Sequence, residues 1–156
     1  MSRYSGSADK TIIQWDVHSK MILRTFRGHE NTVWRIVLND SNLYSVSLDG
    51  ILKGWKIADG KCFKTILAHN GIIRGLAVDD KSIISCGEDR LIKYWDLFDL
   101  SLQHEFKAHE ESIWNIHVSK DKNMYSCSSD RTIKQWNQKN RACTFTYRVI
   151  LMIISS

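Results

Sequence analysis

Serine, histidine and aspartate can together build a nucleophilic triad: the hydroxyl attacks, the imidazole takes its proton, and the carboxylate orients the imidazole. All three recur in this chain at fixed intervals. A serine lies four residues before an aspartate at Ser5 and Asp9, Ser45 and Asp49, Ser85 and Asp89, and Ser126 and Asp130. Each aspartate lies six residues before a tryptophan, at Trp15, Trp55, Trp95 and Trp136. Gly-His or Ala-His pairs between successive tryptophans supply His29, His69 and His109. A catalytic site is normally singular, whereas this set returns once per unit. Recurrence therefore argues for a structural part and against an enzyme. The other histidines, His18, His104 and His117, share no ligand spacing, and no CxxC pair occurs, so no metal or cofactor site is expected.

The steps between the tryptophans are 40 (55 − 15), 40 (95 − 55) and 41 (136 − 95) residues. Each unit parses into short runs of strand type separated by turn signals. In the second they are TVWRIVL, NLYSVSL, ILKGWKI and KCFKTIL. No helix is predicted. In the first strand of each full unit the apolar residues fall four, seven and nine positions after the histidine: Val33, Ile36 and Leu38; Ile73, Leu76 and Val78; Ile113, Ile116 and Val118. A three-step followed by a two-step breaks alternation, as a β-bulge does. The first unit begins at its second strand, RYSGS, and has no preceding Gly-His.

These motifs resemble the WD-repeat (Trp-Asp) β-propeller family over residues 1–148. The resemblance implies an all-β fold of four-stranded antiparallel blades, three complete and one partial, as a segment of a larger, seven-bladed type of propeller. The expected blades are about 1–27 (partial), 28–67, 68–107 and 108–148, with a nonconforming apolar tail at 149–156. Two other arrangements are a four-bladed ring closed by the tail and an eight-bladed ring of two chains. By motif match, His29, Ser45, Asp49 and Trp55 form a hydrogen-bonded network within one blade. His69, Ser85, Asp89 and Trp95, then His109, Ser126, Asp130 and Trp136, form the next two. Blade one has Asp9, Ser5 and Trp15 but no such histidine, so its network is expected to be open.

The resemblance also places partners on the top face. The matching positions are Thr32, Trp34 and Leu48, then Ile72, Arg74 and Glu88, then Ser112, Trp114 and Ser129, with Ala8 from blade one. Trp34 and Trp114 fall outside the apolar pattern of the inner strand, and binding hot spots are enriched in Trp and Arg. The implied function is a non-catalytic scaffold for protein or peptide partners. The phrases around Trp55 and Trp136 are similar to propellers of ubiquitin ligases, although no F-box or RING module occurs in these residues. The WDxR pattern is also absent, since Asp16 is followed by Val17-His18 and Asp96 by Leu97-Phe98. The competing readings are a propeller fragment without autonomous function and, from a different class, a propeller enzyme.

Bulk properties fit this reading. The 156 residues are 43% hydrophobic and 25% charged, with a net charge of +5. The basic residues are scattered among acidic ones rather than gathered in a stripe, so no specific nucleic-acid partner is expected. The run Val149–Ile154 is too short to span a bilayer, no membrane partner is expected, and self-association through open blade edges is. The opening residues show no apolar secretory segment. Cys62, Cys86, Cys127 and Cys143 have neither disulfide nor metal spacing, which suggests small buried hydrophobes in a reducing compartment, cytoplasmic or nuclear.

Overall fold

The apolar runs become fifteen strands, and no helix occurs among the described residues. The computed structural model describes residues 2–149. Blade one holds β1 (Ser2–Gly6), β2 (Ile12–Asp16) and β3 (Ile22–Phe26). Blade two holds β4 (Val33–Leu38), β5 (Asn42–Ser47), β6 (Ile51–Lys56) and β7 (Cys62–Leu67). Blade three holds β8 (Ile73–Val78), β9 (Ser82–Gly87), β10 (Leu91–Asp96) and β11 (Leu102–Lys107). Blade four holds β12 (Ile113–Val118), β13 (Asn123–Ser128), β14 (Thr132–Asn137) and β15 (Cys143–Arg148). Each strand pairs antiparallel with its neighbours in the chain, so every sheet is a simple meander. Apart from Val149, the apolar tail lies outside the described residues, as does any ring closure through it.

Register confirms the bulge that the inner-strand pattern predicts. Val33 pairs with Ser47 and Arg35 with Val46, leaving Trp34 between them without a partner. The same slip leaves Arg74 between Ile73 and Gly75, and Trp114 between Ile113 and Asn115. An extra residue in one strand re-aims its side chain. A second slip, with no signal in the sequence, sits between the third and fourth strands. It lies at Gln14/Trp15, Gly54/Trp55, Tyr94/Trp95 and Gln135/Trp136.

The tight turn after the second strand puts Lys10, Gly50, Arg90 and Arg131 in the left-handed region, with φ of 71°, 80°, 68° and 65°. The aspartate just before each one stabilises the turn by accepting the backbone N–H two residues on, at Thr11, Ile51, Leu91 and Thr132. Inner strands approach closely: a Cβ on Gly75 in β8 would meet the Ile116 nitrogen of β12 at 2.8 Å.

The core lies between blades, not within them. Ile12 and Phe26 of blade one pack on Val33, Leu43 and Trp55 of blade two. Tyr44, Val46 and Leu52 pack on Ile73, Ile83 and Trp95. Ile84, Ile92 and Tyr94 pack on Ile113, Met124 and Trp136. Fully burying one such side chain stabilises by about 1.5–3 kcal/mol, so a blade depends on its neighbours. Cys86 belongs to this core, and burial pushes its thiol pKa up. Cys62 and Cys143 do not match the expectation of buried hydrophobes. They start the outer strands β7 and β15 and are exposed, because the outer edge of a blade faces solvent.

Candidate functional site

In blade three the four network residues form one connected run of hydrogen bonds. The Trp95 indole N–H donates to Ser85 Oγ at 2.8 Å, and Ser85 Oγ lies 2.7 Å from His69 Nε2. His69 Nδ1 lies 2.8 Å from the Asp89 carboxylate. A carboxylate only accepts, so the proton sits on Nδ1 and the serine hydroxyl donates to Nε2. Burial works to raise the Asp89 pKa, but the hydrogen bond from His69, with the Leu91 N–H and the Lys93 charge behind it, outweighs that and holds the carboxyl below its ordinary value.

Blade four repeats the arrangement. Trp136 donates to Ser126 at 2.8 Å, His109 Nε2 lies 2.7 Å from Ser126, and His109 Nδ1 lies 2.8 Å from Asp130. Thr132 adds a hydroxyl donor to Asp130 at 2.6 Å, and the Glu110 N–H another at 3.2 Å. Against the opposing effect of burial, the bonds from Thr132, His109 and Glu110 hold Asp130 at about 2. Burial lowers the His109 pKa, with Asp130 opposing.

Blade two departs from the expected network, and the inclusion of Asp49 must be corrected. His29 Nε2 lies 2.6 Å from Ser45, and Trp55 donates to Ser45 at 2.8 Å. Asp49, however, accepts the Ser47 hydroxyl, and buried His29 Nδ1 has no partner. The cause is competition for the carboxylate. Blade three has Gly87 at the Ser47 position, so Asp89 is left to its histidine. Blade four has Ser128 there, but Thr132 holds Asp130 and the Ser128 hydroxyl turns to the Glu111 carbonyl. Blade two has the serine without the threonine, since Ile51 stands in that place. Burial first, and Lys53 second, push the His29 pKa down to about 4. In blade one Trp15 donates to an exposed Ser5 at 3.0 Å, the open network expected there.

Ser45, Ser85 and Ser126 are fully buried with the oxygen bonded to indole, so no substrate reaches these hydroxyls.

The nine positions expected on the top face cluster blade by blade. The Leu48 N–H donates to the Thr32 carbonyl, that of Glu88 to Ile72, and that of Ser129 to Ser112. The bulged residues stand out from these clusters. Trp34 is 46% exposed and Trp114 51%. Arg74 crosses from blade three to blade four. Its guanidinium carbon lies 5.0 Å from the centroid of the Trp114 ring, while its Nη2 donates to Glu88 at 2.7 Å. The Trp114 N–H is fixed by Ser129 at 2.6 Å. Arg35 Nε reaches the Arg74 carbonyl at 3.4 Å, tying blade two to blade three. Ala8 is exposed beside the turn of blade one. Sequence reasoning missed Arg35, Ser47 and Thr132, although a hydroxyl two residues before or after the turn aspartate is a readable signal.

The family model described as WD domain, G-beta repeat matches residues 20–56, 60–96 and 100–137. The chain belongs to this family. Each matched WD repeat begins just before the outer strand of one blade and ends with the third strand of the next, so the sequence unit itself staples two blades. Among solved structures, the WD40 β-propeller domain of Doa1 is 28% identical with a TM-score of 0.82, over 95% of this chain and 50% of that one. The computationally designed Ika4 protein is 29% identical with a TM-score of 0.79, over 87% of this chain and 84% of that one. A chain in a structure of the mitotic checkpoint complex shares the fold at 21% identity and a TM-score of 0.86, over 94% of this chain and 47% of that one. This chain thus spans about half the length of the Doa1 and checkpoint-complex chains. A comparison with curated protein sequences gave no match. No helix of the described residues is long and apolar enough to cross a membrane.

Proposed function

We propose that this WD-repeat chain is a non-catalytic scaffold that holds a protein or peptide partner on its top face. The observation that carries the reading is the row made by the bulges. Trp34, Arg74 and Trp114 occupy the same bulge on three inner strands that lie side by side, and both indoles are exposed. Large aromatic area held at low entropic cost beside a guanidinium is the composition of a binding hot spot. Thr32, Leu48, Ile72, Glu88, Ser112 and Ser129 line its rim and supply backbone and hydroxyl groups for orientation. The serine and histidine that recur in blades two, three and four are buried, which supports a structural role for them.

The test is capture of partners from the cell of origin with the wild-type chain and with Trp34→Ala, Arg74→Ala and Trp114→Ala. Specific partners held by the wild type should be lost or weakened at least fivefold in each variant, which corresponds to about 1 kcal/mol, more than most interface residues contribute. Retention of the same partners by all three variants would sink the top-face site. The phrasing around Trp55 and Trp136 directs the first search to ubiquitin-ligase assemblies.

A further inference from the structure

The row of bulged residues carries its charge at one joint. Trp34, Arg35 and Arg74 lie where the inner strand of blade two adjoins that of blade three. Blade one packs on the far side of blade two and blade four on the far side of blade three, so this joint is bounded on both sides. Arg35 stands where blade three has Gly75 and blade four Asn115, and Glu88 stands where blade two has Leu48 and blade four Ser129. Two guanidinium groups therefore share one carboxylate here. The turn aspartates are turned to other groups: Asp49 to the Ser47 hydroxyl, Asp89 to His69 and the Lys93 charge. The local balance is a single positive charge.

Both guanidinium groups are anchored without being saturated. Arg74 lies on the Trp114 ring and donates through Nη2 to Glu88, so it leans toward blade four and away from Trp34. Arg35 Nε donates to the Arg74 carbonyl, which lays its fork against the bulge on the blade three strand. Glu88 is itself fixed, since its second oxygen accepts the Ile72 N–H at 3.3 Å. A guanidinium offers donors on all its nitrogens. Among the described residues Arg35 uses only Nε and Arg74 only Nη2. The Arg35 side chain is exposed and Arg74 is partly buried, with the exposed Trp34 indole beside them.

We infer that this row selects an acidic protein segment, whose carboxylate side chain bridges the spare donors of Arg35 and Arg74 while apolar neighbours rest on Trp34 and Trp114. The inference rests on the top-face reading and names the chemistry of its occupant. Charge matching favours a carboxylate over a phosphoryl group. One negative charge cancels the local excess, whereas a phosphoryl group carries about −1.5 to −2 and would repel Glu88. Guanidinium and carboxylate also match as planar forks, in hydrogen bonds roughly twice as strong as those between neutral groups. A partner lysine would instead face two arginines and find only Glu88, which Arg74 and Ile72 already hold. Arg35 thereby becomes a recognition residue, although no motif singles it out.

The test selects binders to the full chain from a random heptapeptide library displayed on phage, keeping only peptides that Trp34→Ala fails to bind. These should carry Asp or Glu about fivefold more often than the starting library, because complementary charge sets which partners bind. Changing the acid of the best peptide to its amide should weaken binding about tenfold, since hydrogen bonds to charged groups contribute more than neutral ones. Arg35→Gln and Arg74→Gln should each erase most of that difference and leave binding of the amide peptide as in the wild type. Should Arg74→Gln lose its β-sheet circular dichroism, Arg35→Gln decides. Trp34-dependent peptides without acidic enrichment overturn the carboxylate and leave the top face standing as a site. Equal binding of acid and amide, or a preference for the acid that survives in the folded arginine variants, overturns it as well. A library that yields no Trp34-dependent peptide overturns both readings.

Discussion

Asp49 does not touch His29, although the same pair in the next two blades closes at 2.8 Å as His69 with Asp89 and His109 with Asp130. One repeated motif thus yields two hydrogen-bond states, decided by which hydroxyl reaches the carboxylate first. A buried polar group left without a partner costs about 1–3 kcal/mol, so the blades should answer mutation unequally.

Asp89→Ala strands the His69 Nδ1 proton and should lower stability by about 1–3 kcal/mol. Asp49→Ala removes only turn contacts, since His29 Nδ1 is already without a partner, and should cost less. Asp9→Ala should also cost less, because blade one has no histidine to strand. Urea midpoints of the three variants check this order. Equal shifts for Asp89→Ala and Asp49→Ala would contradict the difference between the two networks.

The lowered His29 pKa sets a pH window. The imidazole titrates near 6.5 when unfolded and at about 4 when folded. Between those values the unfolded chain binds more protons, so the stability is present in full above about 6.5 and is lost as pH falls toward 4. His109 is lowered too and acts in the same direction. Asp130 works in a separate window: its folded value of about 2 lies below 3.8, so its contribution is present above 3.8 and is lost as pH falls toward 2. Melting temperatures from pH 7 to 2 should show a shallower fall between 6.5 and 4 in His29→Gln than in the wild type. The fall below 3.8 should remain. An unchanged slope between 6.5 and 4 would remove His29 as its source.

The tight turns offer a test of backbone strain. Arg90 holds φ of 68° where blade two has Gly50 at 80°. A left-handed residue with a Cβ costs about 1 kcal/mol, so Arg90→Gly should raise stability by up to that amount. Gly50→Ala should lower it, since the new Cβ would also meet the Gly71 carbonyl at 2.9 Å. Denaturation midpoints moving in opposite directions are the expected result.

Much of this was legible because it is periodic. The tryptophan spacing marks the blades, and the uneven steps among Val33, Ile36 and Leu38 mark the bulge that ejects Trp34. The second bulge, beside Trp55, left no trace because the outer strand that contains Cys62 is largely solvated and carries no strict apolar alternation. The Asp49 detour depends on competition between Ser47 and the absent threonine at position 51, which spacing alone does not rank. The stacking of Arg74 on Trp114 crosses between blades. It requires the angle between two sheets, which no single repeat encodes.

That crossing contact leads to the last prediction, which separates binding residues from packing residues. Trp95 is 5% exposed and anchors Ser85 as well as the joint with blade two. Trp95→Ala should therefore cost about 3–5 kcal/mol through the cavity it leaves, together with the loss of a donor to Ser85. Trp114 is half exposed and stabilises chiefly through Arg74 and Ser129. A cation–π contact at an exposed site contributes about 0.5–1 kcal/mol, so Trp114→Ala should cost little more than that. Trp34→Ala should cost less still, and Arg74→Ala about as much as Trp114→Ala. Thermal melts of the four variants decide the matter. If Trp34→Ala and Trp114→Ala unfold as early as Trp95→Ala, the bulged indoles are holding the blades together and the top face loses its claim to a partner.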